Sequence, residues 1–452
     1  MSDTENLQPE AMSEKSKSAL KAVFIILFLD LIGFSIIFPL FPSMLDYYMT
    51  VEGDRGLIGV VVSVLERFTE VAGAPSGIGI IILFGGVLAA LFSLLQFICS
   101  PIIGTLSDRY GRRPLLLISI AGITISYGLW FFAGSFLILV FARILGGLMA
   151  GNISTASAVV ADITSTENRS KGMAIIGISF GLGFIIGPAV GGLTALIDLT
   201  KHWPGLVAYG VNPFSMPALV ALVLSVLNLV YVYYKFEETL PESTDDTDRV
   251  QRSINPIKLF KTENYPGVSR TNWINFIFLA AFSGMEFSLT FLAFDRFQYG
   301  SHDNAWMFVF IGITLVLVQG GYVRRKSAAI GPKRMSLQGL IMVIPGLICV
   351  GFTQSTAILY LGLFLMAIGS AQVIPCLTAL ASSYAPANEQ GRILGVFRSL
   401  GALARGVGPL IACVLYWRLG SSLSYYIGAA AIILPILIAV GLPKVPEEFE
   451  SK

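Results

Sequence analysis

Between Gly104 and Pro114 the chain reads Gly-Thr-Leu-Ser-Asp-Arg-Tyr-Gly-Arg-Arg-Pro. Asp108, Arg109, Arg112 and Arg113 are packed into this short stretch with Gly104 and Gly111. On either side lie apolar runs, 77–101 and 114–133, each near the roughly 20 residues that carry a helix across a bilayer. A charged, glycine-bearing turn between two such runs reads as a connection at a membrane face. The glycines permit a tight turn and close helix approach, and an aspartate at a helix end can accept from the free N–H groups of a neighbouring terminus.

The pattern repeats along the chain. Of 452 residues, 55% are hydrophobic and 13% are charged, about half the charge of a soluble chain. Twelve spans are predicted, at 20–45, 77–101, 114–133, 136–160, 171–197, 214–235, 271–294, 304–322, 335–353, 357–383, 391–417 and 422–441. The expected fold is an all-α membrane protein of two pseudo-symmetric six-helix bundles. The expected domains are an N-terminal tail (1–19), a first bundle (20–235), a linker (236–270), a second bundle (271–441) and a C-terminal tail (442–452). A short surface helix is expected at Ile254 to Lys261, and an interfacial helix within 46–76.

The balance of 30 Lys+Arg against 28 Asp+Glu gives no basic surplus that would suggest nucleic acid. Cys99, Cys349, Cys376 and Cys413 have neither disulfide nor zinc spacing, and no metal or cofactor is expected. With an even number of spans both tails share one face, which receives 22 of the 30 lysines and arginines against five on the other. The positive-inside rule makes that face, with the linker and the Gly104–Pro114 loop, cytoplasmic. Only His202 and His302 are available as imidazole bases, and neither is paired with a nucleophile motif, so an enzyme is not expected. No Gly-rich loop ending in Lys-Ser/Thr supports ATP-driven transport.

The halves echo each other. Gly177 to Pro188 reads Gly-Ile-Ser-Phe-Gly-Leu-Gly-Phe-Ile-Ile-Gly-Pro, and Arg398 to Pro409 reads Arg-Ser-Leu-Gly-Ala-Leu-Ala-Arg-Gly-Val-Gly-Pro. Parallel six-helix repeats are a transporter architecture, with the substrate site at their interface near the midplane.

The Gly104–Pro114 stretch resembles the signature loop of the major facilitator superfamily, matching at Gly104, Asp108, Arg109, Gly111, Arg112 and Arg113. The resemblance implies a latch between the two halves, with Asp108 as its acid. Arg143 in Leu139-Val-Phe-Ala-Arg-Ile-Leu-Gly-Gly resembles the superfamily's span-four motif. Gly183, Gly187, Pro188, Gly191 and Gly192 resemble the antiporter motif of drug exporters, though helix packing alone would use the same small residues. Leu29 to Pro42 is similar to span one of the tetracycline–proton antiporters. Gly284-Met-Glu286, Arg296-Phe-Gln-Tyr and Arg398 to Arg405 resemble the animal tetracycline-transporter-like proteins, linked to efflux of organic anions and drugs. The second-half counterpart of the signature loop, Gly321 to Arg334, has lost its acid.

Charges inside spans are functional candidates because they are costly there. Glu286 and Asp30 are the candidate proton-coupling acids. Arg405, Arg398 and Arg143, with Gln319, Gln372 and Asn152, are the candidate substrate contacts, since guanidinium suits bidentate capture of carboxylate or phosphate. Permanent pairs, Glu286 with Arg405 or Asp30 with Arg143, are the structural alternative. Polar residues in spans also make interhelical hydrogen bonds. The expected function is proton-coupled efflux of amphipathic organic molecules by alternating access, with the proton gradient in place of a cofactor. The alternatives are a lipid or lysophospholipid transporter or a receptor-like protein. A monomer in the plasma or bacterial inner membrane is expected.

Overall fold

The computed structural model describes residues 14–53, 56–71, 78–164, 166–240, 265–384 and 390–444. The expected surface helix at 254–261 lies outside them, as do the far ends of both tails and most of the linker. Among the described residues there are helices and no strands. The first half comprises α1 (Glu14–Ser35), α2 (Phe41–Glu52), α3 (Gly56–Val71), α4 (Ile78–Tyr110), α5 (Arg112–Phe131), α6 (Phe136–Met149), α7 (Asn152–Ile163), α8 (Thr166–Thr194), α9 (Leu199–His202) and α10 (Ser215–Lys235). The second comprises α11 (Pro266–Phe297), α12 (Ser301–Leu317), α13 (Arg324–Ile330), α14 (Pro332–Phe352), α15 (Thr356–Ser383), α16 (Gln390–Ala431) and α17 (Ile433–Val440).

Among the described residues, eleven segments are long and apolar enough to cross a membrane. The last of them, Val396–Val440, runs 45 residues and turns back at Gly420, whose φ of 80° leaves the helical region. It therefore supplies two spans, which makes twelve. Lipid cannot hydrogen-bond a bare backbone, so helices of this length are the stable solution.

Several boundaries differ from the sequence expectation. The first span breaks at its C-terminal end into a 3-10 turn, Phe38–Leu40, and then α2. Pro39 and Pro42 each lack a backbone donor there. The fourth span is two helices, broken at Ala150 and Gly151. The stretch 46–76, expected to hold an interfacial helix, contains the helix α3. α4 does not stop at 101 but continues to Tyr110. Gly104 and Asp108 are therefore helical, and the turn is Gly111 alone, at φ 104°. In that backbone conformation a side chain is strained, and a Cβ would also run into the Glu238 carboxylate.

The two halves are built alike at one pair of helices. In the first, α8 lies against α1, with Gly183 facing Leu31, Gly187 facing Ser35 and Gly191 facing the Ile36 carbonyl. In the second, α16 lies against α11, with Gly401 beside Leu279 and Gly408 against the Ala280 carbonyl. A glycine every turn or two lets backbones approach to a distance no larger residue permits. Gly183, Gly187 and Gly191 of the exporter-like motif thus make packing contacts within the first half.

The halves meet through α4 with α16, α8 with α12 and α8 with α15. At the end away from Gly111, Phe41 packs its ring 5.5 Å from that of Phe287. A Cβ on Gly86 would lie 2.8 Å from the Cys413 sulfur.

Candidate functional site

Between the halves lies a cavity of about 1530 Å³, its open mouth included. Both halves line it: Gln96, Ser154, Ser157 and Phe180 from one, Asn275, Glu286, Gln319, Thr378, Arg398 and Arg405 from the other. Ser100, Ser157, Asn275 and Thr378 carry the lining toward the membrane face that bears Gly111. The opposite end is where Phe41 meets Phe287.

The centre of the site is set by α16. Arg398 and Arg405 are seven residues apart, two helical turns, and so lie on one face. The ring of Phe180, from α8, lies between them, with guanidinium carbons 5.7 Å (Arg398) and 5.2 Å (Arg405) from its centre. Such contacts are attractive, more so away from water. Gly401 lies between the two arginines in sequence, and a Cβ there would press on Leu279 of α11 at 3.1 Å. On Arg398, Nε and Nη2 are buried without a hydrogen-bond partner. Glu286, on α11, lines the same cavity, and Arg405 is the cation whose field reaches it. Gln319 opens from a π-helical turn, Val318–Val323, and its amide oxygen would meet a Cβ on Gly181 of the other half at 3.3 Å.

Asp30 is not in the main cavity. It lines a smaller pocket behind it, which shares Gln96, Ile153, Phe180 and Arg405 with the cavity wall. Its carboxyl faces the Asn152 amide. Tyr127 is close enough to interact with both Asp30 and Arg143. Arg143 itself packs over Phe92 at 4.6 Å and Phe34 at 5.9 Å, and its Nε and Nη2 are buried without a hydrogen-bond partner.

Three of the expected substrate contacts therefore fall outside the cavity wall. Arg143 and Asn152 lie around Asp30. Gln372 is turned the other way: its Cβ faces Gly339 of α14, and its Nε2 donates to the Ile368 carbonyl at 3.0 Å. That bond uses one donor of the amide, its Oε1 is buried without a hydrogen-bond partner, and the side chain lies between α14 and α15 rather than in the cavity wall.

The signature loop forms a charge cluster. Arg112 is buried and pairs with Asp108 at 2.5 Å and with Asp162, at the end of α7, at 2.8 Å. It also donates to the Ser107 hydroxyl at 2.7 Å. The Glu238 carboxylate accepts from the Arg112 and Arg113 amides at 2.9 and 3.0 Å, so an acid from beyond α10 caps the N-terminus of α5. An anion there also meets the positive end of the helix. Burial pushes the Glu238 carboxyl up, but four backbone N–H donors together outweigh it and hold it below the usual range. Burial pushes the Asp162 carboxyl up, with Asp108 and Glu238 pushing the same way and Arg112 pulling against them. Arg113 donates to the Tyr233 carbonyl at 2.7 Å, while Arg109 is exposed and lies over Tyr110. Apart from Glu238, which lies beyond α10, the partners named here belong to the first half.

Phe180, Asp162 and Glu238 are functional candidates that sequence reading passes over. Phe180 had one signal, its place in the Gly-Ile-Ser-Phe-Gly of the repeated helix. The two acids had none, since an acid at a span end usually just faces water.

The family model described as Major Facilitator Superfamily matches residues 23–409. The chain belongs to the major facilitator superfamily. It is 34% identical over 441 residues to the Major facilitator superfamily domain-containing protein 10 of Bos taurus, covering 92% of this chain and 91% of that one. It is 27% identical over 431 residues to the class C Tetracycline resistance protein of Escherichia coli, covering 95% and 96%. The crystal structure of the human organic anion transporter MFSD10 (TETRAN) is similar at a TM-score of 0.78 and 31% identity, over 94% of this chain and 100% of that one. As a superfamily member with this helical architecture, the chain is a multi-pass membrane transporter.

Proposed function

We propose that this transporter exports amphipathic organic anions in exchange for protons by alternating access. The observation that carries the reading is the cavity itself. Two arginines on one face of α16, spaced by an aromatic ring from the opposite half, meet a carboxyl on α11. Guanidinium takes a carboxylate or sulfonate bidentately, and the apolar wall takes the hydrophobic remainder of the molecule.

In this scheme Arg405 and Arg398 hold the anion while Phe180 and Gln319 contact its body. Glu286 is the coupling acid. Exchange requires that it be ionised while the substrate is carried outward and protonated on the return, so that no single passage carries both. Asp30, behind the same wall, is a second proton site, poised by Asn152 and Tyr127. Rocking of the halves about the cavity would expose it to the two faces in turn. Cytoplasmic tails and linker would place the mouth described here on the cytoplasmic side, with Asp108 and Arg112 at the interface that closes in the other state. The protein would act as a monomer in the plasma or bacterial inner membrane.

The test is flux in proteoliposomes. A fluorescent aromatic sulfonate should move against its gradient when an inward proton gradient is imposed, and not when the gradient is collapsed. A cationic dye carried equally well would contradict the anion reading.

A further inference from the structure

The connection after α12 stands at the same position in the second half as Gly104–Pro114 does in the first. Both follow an even-numbered span, so both lie at one membrane face. The two are charged in different ways. In the first half, Arg112 pairs with Asp108 and Asp162, and Glu238 caps the following helix. In the second half, Arg324, Arg325, Lys326, Lys333 and Arg334 lie together, and the sequence has no acid between Asp303 and Glu389.

One of these five cations has a structural task. Lys333 donates to the Val440 and Leu442 carbonyls at 3.0 and 2.7 Å, capping the C-terminus of α17. Arg324, Arg325, Lys326 and Arg334 are exposed. None of the four has an ion-pair partner among the described residues. They sit where the span His302–Ser327 ends and the span Pro332–Phe352 begins, which is headgroup depth. Tyr322, exposed one turn before them, is the kind of residue that anchors at that level.

We infer that this loop binds the headgroup of an anionic phospholipid. The lipid phosphate supplies, from the leaflet, the negative charge that Asp108, Asp162 and Glu238 supply within the first half. The complementarity is of charge and of depth. Long basic side chains at a span end reach the headgroup layer while their stems stay in lipid, and each contributes attraction to an anionic surface.

The experiment titrates the full chain in neutral detergent with phosphatidylglycerol, with phosphatidylcholine of the same chains, and with soluble glycerol phosphate. The readout is melting temperature, which rises with occupancy of a site on the folded state. Phosphatidylglycerol alone should stabilise saturably, and the effect should shrink at high salt. The variant R324Q/R325Q/K326Q/R334Q should bind it at least tenfold more weakly, at roughly fivefold per cation. R324K/R325K/R334K should retain it, since charge and not guanidinium shape is used. K201Q/R418Q, at the other face, should leave it unchanged. If the fourfold variant does not fold, R324Q/R325Q and K326Q/R334Q should each bind it roughly 25-fold more weakly, at the same fivefold per cation. Undiminished affinity in the glutamine variants, or equal stabilisation by phosphatidylcholine or by glycerol phosphate, would overturn the inference.

Discussion

The Arg405 guanidinium lies 5.2 Å from the centre of the Phe180 ring. That contact runs from α16 of the second half to α8 of the first, across the cavity wall. A charge that would be prohibitive in lipid is thereby held against an aromatic face at the wall of the cavity that both halves line. Movement of one half against the other must change this contact.

Arg405→Ala is therefore expected to weaken binding of anionic ligands more than of neutral ones of the same size. A tenfold or greater loss for an aromatic sulfonate is expected, because a charge-assisted hydrogen bond is worth roughly 1.5–3 kcal/mol. Phe180→Leu should cost both ligand classes alike. Ligand-induced melting shifts of the purified variants measure this; equal losses for charged and neutral ligands in Arg405→Ala would assign the arginine to structure.

Glu238→Gln is expected to lower the melting temperature at neutral pH. The cap is worth about 1 kcal/mol or less, as for an acid at an exposed helix start. Because the carboxyl is held below its usual value in the folded protein, its contribution is present above that value and is lost as pH falls through the lowered one. The wild type and the variant should begin to converge as pH falls below about 4, the ordinary range of a glutamate, and should meet only below the lowered value. A difference that persists unchanged in acid would mean that the charge is not what stabilises the turn.

Arg112→Gln should be more damaging than Arg109→Gln. Arg112 is buried between two carboxylates, and removing one partner of a buried pair costs on the order of 3 kcal/mol. Arg109 is exposed, where a charge is worth little. Asp108→Asn should leave the fold intact and slow cycling. Chemical denaturation reads the first comparison and proteoliposome flux the second.

Gly187→Val should destabilise by about 1–3 kcal/mol through overpacking, since its Cβ would collide with Ser35 and the Ile32 carbonyl. Gly128→Ala, with nothing within 4 Å, should be tolerated. Melting temperatures of the pair decide whether the α1–α8 contact is as close as described.

The spans were legible because their signal is hydrophobic length, which lipid enforces on every helix alike. Where the helices break was less so. Pro39 and Pro42 ended the first span early, while nothing in Gly104–Tyr110 announced that α4 would run on to Gly111. The site divides in the same way. Arg398, Arg405, Glu286 and Gln319 were conspicuous as charged or polar residues in apolar runs, and all four line the cavity. Arg143, Asn152 and Gln372 were equally conspicuous and do not, because which way a helix is turned depends on its neighbours, as Gly339 turns Gln372 away. Glu238 and Asp162 were hidden by their position at span ends, where pairing with Arg112 depends on a fold that brings residues 50 and 126 positions apart together.

The most direct test of the account is the dependence of flux on the proton gradient in Glu286→Gln proteoliposomes. The account predicts that this variant still binds the aromatic sulfonate and equilibrates it, but no longer concentrates it when a pH gradient is imposed. Gradient-driven accumulation at the wild-type level in Glu286→Gln would contradict it.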